Sequence, residues 1–267
     1  ETRTSHPKWL IEHWLGLFGE EKTAALCAWN QEPAPVCARI NRLHHEMKDA
    51  PEDFIVCEHL PREDLAAGKV YMQDPSTATA PRLLDPQPGM RVLDACAAPG
   101  GKTAFLAQLM QNQGEIIACD VSPPRLRRLH ENLQRLQVNN TRIEEHDWSE
   151  EKLPLFVGAG FDRILLDVPC SNTGVMRRRV DVRWRLTPED LTAQAQTQER
   201  LLRNCLLALK PGGVLVYSTC SIEPAENEQL VARVLESVSG FEPVKVRQTF
   251  PPEDQMDGAF AAAIRRV

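Results

Sequence analysis

Nothing in the 267 residues is apolar for long enough to cross a bilayer. Stretches such as 164–166 and 214–217 fall far short of the roughly 20 residues a membrane helix needs. No two of the eight cysteines (27, 37, 57, 96, 119, 170, 205 and 220) form a C-x-x-C pair. That removes the spacing of a zinc ribbon or a thioredoxin-like site, and no metal is expected. Positive charge is not in excess: 31 Lys+Arg against 37 Asp+Glu leave a net charge of −6. Such a chain does not coat nucleic acid by bulk charge, although a local basic groove stays open, because patches and not totals steer partners. A charged-then-apolar leader is missing, as are internal repeats and low-complexity stretches. The expectation is a reduced, cytoplasmic, monomeric protein whose thiols are mostly small buried hydrophobes. The chain opens on Glu1 and not Met, as a fragment or a trimmed chain would.

What is present is ordinary globular composition, 42% hydrophobic and 25% charged, which excludes disorder for most of the length. At about 150 residues per domain, the length suits one large domain or one and a half, with a core of real size. Residues 1–90 and 91–267 read differently. The first part shows amphipathic helices over 6–17 and 20–30, then strand-like runs at 36–41 and 54–57 separated by Pro33, Pro35, Pro51 and Pro61. Trp9, Leu10, His13, Trp14 and Leu17 share one helix face, and its aromatics are expected in the core. Residues 71–84 read as a short strand, a turn and a helix. From Arg91 strands alternate with helices, the pattern of a parallel sheet covered on both faces. Strands are expected at 91–95, 115–120, 141–145, 161–167 and 213–219, with 242–248 and 259–265 closing the sheet as an antiparallel pair. Helices are expected at 102–112, 123–137, 188–209 and 224–238. Thr187-Pro188-Glu189-Asp190 is a start signal and Lys210-Pro211-Gly212-Gly213 a stop signal.

In sheets of this kind ligands bind at the carboxyl ends of the strands, and four strand ends carry unusual residues. Asp94-Ala95-Cys96-Ala97-Ala98-Pro99-Gly100-Gly101-Lys102-Thr103 is a small-residue turn leading straight into a helix, where free amides are good donors. It is neither G-x-G-x-x-G nor a P-loop. Asp120 ends the next strand, where a nucleotide-binding sheet places the acid that bonds ribose hydroxyls. Asp147 follows the third strand, where an acid could accept a hydrogen bond from an adenine amino group. Asp167-Val168-Pro169-Cys170-Ser171-Asn172 leaves a very apolar strand, and Tyr217-Ser218-Thr219-Cys220-Ser221 ends the last long one. Two strand-end cysteines on sequential neighbouring strands should face one crevice. Cys205, on a helix face, is the ordinary buried case.

DACAAPGGKT, LLDVPCSNTGVMRR and YSTCSIEPAENE together resemble the Sun-type (nucleolar-protein) family of S-adenosylmethionine-dependent RNA cytosine-5 methyltransferases, and the likeness spans nearly the whole chain. It is nearest to the branch that acts on bacterial small-subunit ribosomal RNA. The resemblance implies an α/β, Rossmann-like class I methyltransferase sheet after a small α+β RNA-binding region. It places S-adenosylmethionine on Cys96, Ala97, Ala98, Pro99, Gly100, Gly101, Lys102, Asp120, Asp147 and Asp167, and Arg125 joins these as a candidate. It makes Cys220 the nucleophile and Cys170 the thiol that helps release product. Members of that branch carry an additional amino-terminal helical domain that these residues do not include. Arg179-Val180 stands where they have His-Pro, and Asp257-Gly258-Ala259-Phe260 approximates their closing Asp-Gly-Phe-Phe.

The chemistry asks for such a set. Carbon 5 of cytosine is a weak nucleophile until a thiolate adds to carbon 6, so a cysteine, an acid–base partner and groups for the pyrimidine edge are needed. Asp167 suits the edge, and Lys102 suits lowering the thiol's pKa. The base must leave its stack to be reached. Residues 175–185 hold five arginines against one aspartate, with Trp184 among them. Arg177, Arg178, Arg179, Arg183 and Trp184 are therefore the candidate RNA contacts, for phosphate and for stacking. The substrate expected is RNA, ribosomal before transfer RNA. A methyltransferase acting by simple displacement would leave both thiols idle, and a non-catalytic RNA-binding factor would not need them.

Overall fold

The computed structural model describes residues 4–50, 52–150 and 152–267, so Pro51 lies outside the described residues. The elements follow in order: α1 (Lys8–Trp29), β1 (Val36–Ile40), β2 (Phe54–Cys57), α2 (Arg62–Ala66), β3 (Val70–Met72), α3 (Thr79–Leu84), β4 (Arg91–Asp94), α4 (Gly101–Leu109), β5 (Glu115–Asp120), α5 (Pro123–Arg135) and β6 (Thr141–Glu145). They continue with β7 (Phe161–Asp167), α6 (Val182–Arg185), α7 (Pro188–Leu207), β8 (Leu209–Thr219), α8 (Glu228–Ser237), β9 (Phe241–Thr249), α9 (Pro251–Asp254) and β10 (Ala259–Arg266). The early strands form a three-stranded antiparallel sheet in the order β2-β1-β3. The remaining seven form one sheet, β6-β5-β4-β7-β8-β10-β9.

In that larger sheet β4 to β8 pair in parallel, and β10 closes it antiparallel to both β8 and β9. The chain runs outward from β4 through β5 to β6, then returns to β7 on the other side. The switch point between β4 and β7 is where an open sheet of this kind forms its crevice. Register brings the strand ends level: Asp94 pairs with Ala118 and Leu165, Asp120 with Glu145, and Asp167 with Ser218. One face buries Leu93, Ile117, Leu166 and Tyr217 with Leu202 and Leu206 of α7. The other buries Val92, Ile116, Leu165 and Val216 with Leu84 of α3 and Leu106 of α4.

The two helices expected in the amino-terminal region are one 22-residue span broken at Gly19, whose φ of 77° leaves helical space. Leu10 and Trp14 of its apolar face are fully buried. They pack on Met176, Val182 and Ile222, so α1 braces the loops that follow β7 and β8. Two boundaries depart from expectation. The Lys210–Gly213 turn stops α7 at Leu207, but it lies inside β8 as an irregularity opposite residues 161–163. Helix α8 starts at Glu228 and not Pro224, because residues 224–227 turn inward to bond the ends of β7 and β8. Among the described residues no helix is long and apolar enough to cross a membrane, and no His, Cys, Asp or Glu cluster can hold a metal ion.

Candidate active site

The turn after β4 is held by backbone bonds. Ala97 N donates to Cys119 O at 2.7 Å and Gly100 N to Ala97 O at 2.8 Å. Gly100 has φ of 103°, and a Cβ there would come within 2.8 Å of Leu129 Cδ1. Its glycine thus serves both the turn and the packing of α5 on the start of α4. Arg125 donates to Ala98 O at 2.8 Å and Asn132 to Pro99 O at 2.8 Å, fastening the turn to α5. Asp120 accepts from Ala98 N (3.3 Å) and Ser122 N (3.2 Å) and pairs with Arg125 at 3.3 Å.

A cleft of about 460 Å³ opens at the switch point, within the size range of small-molecule sites. Of the expected cofactor residues, Cys96, Ala98, Asp120, Arg125, Asp147 and Asp167 line it. Ala97, Pro99, Gly100, Gly101 and Lys102 do not. Residues that sequence reasoning missed also line it, notably His146, Trp148, Asn172 and Thr197. His146 Nε2 is buried with no partner among the described residues, and burial holds the ring below its usual pKa, so it stays neutral near pH 7. Its neighbours Asp147 and Trp148 were the available signal, since all three follow β6.

Both thiols come to this place. Cys170 and Cys220, fifty residues apart, lie with Sγ atoms 3.3 Å from each other, and both face the cleft. Cys220 also donates to Asn172 Oδ1 at 3.3 Å. Asn172 sits in the left-handed region (φ 61°), which asparagine tolerates better than most residues. The Cys170 thiol is pushed well above its ordinary pKa by its bond to Cys220 and by burial, so it remains protonated. Gly174 and Gly258 pack backbone to backbone beneath the Cys220 carbonyl, where a Cβ on Gly174 would lie 2.8 Å from that oxygen.

Behind the thiols a small pocket of about 50 Å³ is lined by Lys102, Asp167 and Cys220. Lys102 Nζ donates to Asp167 Oδ2 at 2.7 Å, and Ser218 Oγ donates to Oδ1 at 2.7 Å. Burial works against the charged lysine, but the Asp167 charge and hydrogen bond outweigh it and hold Lys102 above its ordinary pKa. The Lys102–Asp167 ion pair thus shares this pocket with Cys220. Asp94, fully buried one residue short of the turn, is pushed up to about 7 by burial, and its Oδ2 accepts from Thr103 at 2.7 Å.

The arginine-rich segment makes internal contacts that local sequence did not show. Arg177 is only 5% exposed and lies over the Trp29 ring at 3.9 Å, beside Asp257. Arg178 bridges Asp257 and Asp74 at 2.6 Å each and donates to Pro35 O at 2.8 Å. Arg183 is buried and donates to Asn30 O. Through these internal carboxylates, ring and carbonyls the three side chains hold the segment against the amino-terminal region and the start of β10. Arg179, which lines the cleft and donates to Asn172 Oδ1 at 3.2 Å, and Trp184, 62% exposed, remain available.

Known proteins resemble this chain in sequence and in fold. Residues 81–265 match the family described as 16S rRNA methyltransferase RsmB/F, and residues 6–56 match its ferredoxin-like domain. Ribosomal RNA small subunit methyltransferase B of Serratia proteamaculans is 34% identical over all of this chain and 68% of its own length. The Yersinia pseudotuberculosis protein of that name is 36% identical over 97% of this chain and 66% of its own. The chain therefore spans about two thirds of these relatives. A solved methyltransferase homologue from Pyrococcus horikoshii superposes with a TM-score of 0.84 at 30% identity, covering 100% of this chain and 97% of that one. With the glycine-containing turn, the strand-end acids and the paired thiols in place, the chain belongs to the RsmB/F family of ribosomal RNA methyltransferases.

Proposed function

We propose that the chain transfers a methyl group from S-adenosylmethionine to carbon 5 of a cytosine in small-subunit ribosomal RNA, through a covalent adduct on Cys220. The observation that carries this reading is the thiol pair, 3.3 Å apart, at the junction of the cleft and the Lys102–Asp167 pocket. Ribosomal RNA is favoured because the curated relatives are named for it.

The cleft fits the cofactor. Asp120 and Asp147 stand at strand ends beside the turn, Arg125 braces it, and the unpartnered His146 Nε2 offers a buried polar contact. S-adenosylmethionine supplies an electrophilic methyl group when bound. Cys220 acts on the base: its thiolate adds to carbon 6, and the displaced ring electrons make carbon 5 nucleophilic. Lys102 complements the thiolate's charge, and Asp167 accepts a hydrogen bond from the pyrimidine edge. After methylation a base removes the proton from carbon 5. The electrons of that C–H bond re-form the double bond, and the carbon–sulfur bond breaks to return the Cys220 thiolate. Cys170, held protonated against Cys220, is not that base; its S–H donates to the departing Cys220 sulfur and so assists the release. The cytosine must be turned out of its stack to reach the pair, with Arg179 and Trp184 as outer RNA contacts.

The test is methyl transfer from labelled S-adenosylmethionine to unmodified ribosomal and transfer RNA, with the methylated cytosine mapped by bisulfite. Cys220→Ala should abolish transfer and any adduct. Cys170→Ala should transfer methyl but accumulate a protein–RNA species that survives denaturing electrophoresis. Reversal of those two outcomes exchanges the roles. Full activity in both variants replaces covalent catalysis by simple displacement.

A further inference from the structure

Beneath the thiols lies a buried carboxylate that the proposed chemistry does not use. Glu226 is 0% exposed, and among the described residues it pairs with no cation. Its Oε1 accepts from Ser171 N at 3.0 Å and from Gln198 Nε2 at 2.8 Å. Its Oε2 accepts from the hydroxyls of both Ser171 and Ser221, the latter at 2.5 Å. Ser171 follows Cys170, and Ser221 follows Cys220. One side chain therefore joins two loops that sequence separates by fifty residues.

The same turn fixes the other neighbours of the thiols. Gln198 donates to Pro169 O at 2.9 Å, so both residues flanking Cys170 are tied to the Glu226 system. Asn227 accepts from Thr219 Oγ1 at 2.6 Å and donates to Ser221 O at 2.9 Å, so both residues flanking Cys220 are tied as well. Tyr217 donates to the Glu226 carbonyl at 2.6 Å and anchors the turn to β8. The late start of α8 at Glu228 is what frees Glu226 and Asn227 to face inward. A buried carboxylate is costly unless its oxygens are well supplied with donors. An apolar side chain in its place would leave Ser171 N and Gln198 Nε2 without this acceptor, at a cost of its own. What the carboxylate provides is fixed geometry between two loops.

We infer that Glu226 is the positioning residue of the thiol pair, locking the Cys170 loop to the Cys220 turn so that their sulfur atoms stay in contact. The inference rests on the proposed covalent function. Small displacements of reacting groups lower rates steeply, by about a hundredfold for an error near 1 Å. Glu226→Ala should accordingly lower kcat by about thirtyfold or more, with KM for S-adenosylmethionine and RNA changed by less than about threefold. Glu226→Gln should recover to within about tenfold of the unaltered protein. Its amide oxygen still accepts from Ser171 N, and its NH2 donates to the serine hydroxyls once they turn.

The covalent step is read separately, as formation of a denaturation-resistant adduct on RNA containing 5-fluorocytidine. Glu226→Ala should form that adduct more slowly by the same factor as kcat. Ser171→Ala with Ser221→Ala removes the hydroxyl links while leaving the carboxylate. This pair should lose kcat in the same sense, and adding Glu226→Ala should cost little more. If Glu226→Ala does not fold, the serine pair decides. A kcat within about threefold of the unaltered protein in the folded variants overturns the inference. So does a glutamine variant no better than alanine, because the charge and not the geometry would then matter. Absence of any adduct with the unaltered protein overturns the covalent reading and the inference with it. An adduct there with no effect of the variants overturns the inference alone.

Discussion

Replacing Arg178 by alanine separates a structural arginine from an RNA-gripping one. The side chain joins three segments: Asp257 before β10, Asp74 after β3, and the Pro35 carbonyl before β1. Asp257 has its side chain 2% exposed and Asp74 7%, while Arg178 itself is 28% exposed. Removing one partner of a buried pair costs about 3–5 kcal/mol; discounted for the solvent that reaches Arg178, roughly 2–3 kcal/mol is expected. Burial, with the charge of Asp74, already raises the Asp257 pKa, and Arg178 works against that rise. Its loss leaves Arg177, at 3.5 Å, as the remaining cation on Asp257. At about 2–4 °C per kcal/mol for a chain near this size, the melting temperature should fall by roughly 4–12 °C. RNA affinity measured against salt should keep its slope, whereas loss of a true phosphate contact flattens it by roughly 0.7–0.9. A melting temperature within about 2 °C of the unaltered protein, together with a slope shallower by about one, would refute the structural role.

Other perturbations test the remaining assignments. Asp120→Ala should weaken S-adenosylmethionine binding by about 1.5–3 kcal/mol, the scale of hydrogen bonds to a charged group; calorimetry showing unchanged affinity would remove Asp120 from the site. His13 is raised above its ordinary pKa by its 2.7 Å bond to Glu223, with burial opposing. That contribution is fully present below the unfolded value near about 6.5 and is lost as pH rises through the folded one. The melting difference between His13→Gln and the unaltered protein should thus be greatest in acid and vanish in alkali; a pH-independent difference contradicts the pairing. Asp94 is raised to about 7, so between the carboxylate range and neutrality the folded chain binds a proton that the unfolded chain has lost. Its stabilisation is complete at the acid end of that window and is lost as pH rises through about 7. Asp94→Asn keeps an acceptor for Thr103 and should show a flatter stability profile in denaturant titrations; an unchanged slope places the charge elsewhere.

Local pattern carried most of the fold. Periodicity is a property of neighbouring residues, and the strands at 115–120, 141–145 and 161–167 lie where alternation and punctuation place them. The antiparallel closure by β9 and β10 was legible for the same reason. Since a parallel sheet lines its carboxyl ends along one edge, strand assignment was also enough to bring Asp94, Asp120, Asp167 and Cys220 to one side.

By itself, then, the sequence determined the alternating sheet and the edge on which its chemistry collects, since both follow from local spacing. Only the tertiary structure decided the rest, which depends on contacts between distant segments. The 3.3 Å thiol contact spans fifty residues and is set by the register of β7 against β8 and by Glu226 beneath them. Arg177, Arg178 and Arg183 look like a phosphate grip in a row of arginines. Their carboxylate, aromatic and carbonyl partners come from segments more than seventy residues away, so these internal contacts could not be read from the row itself.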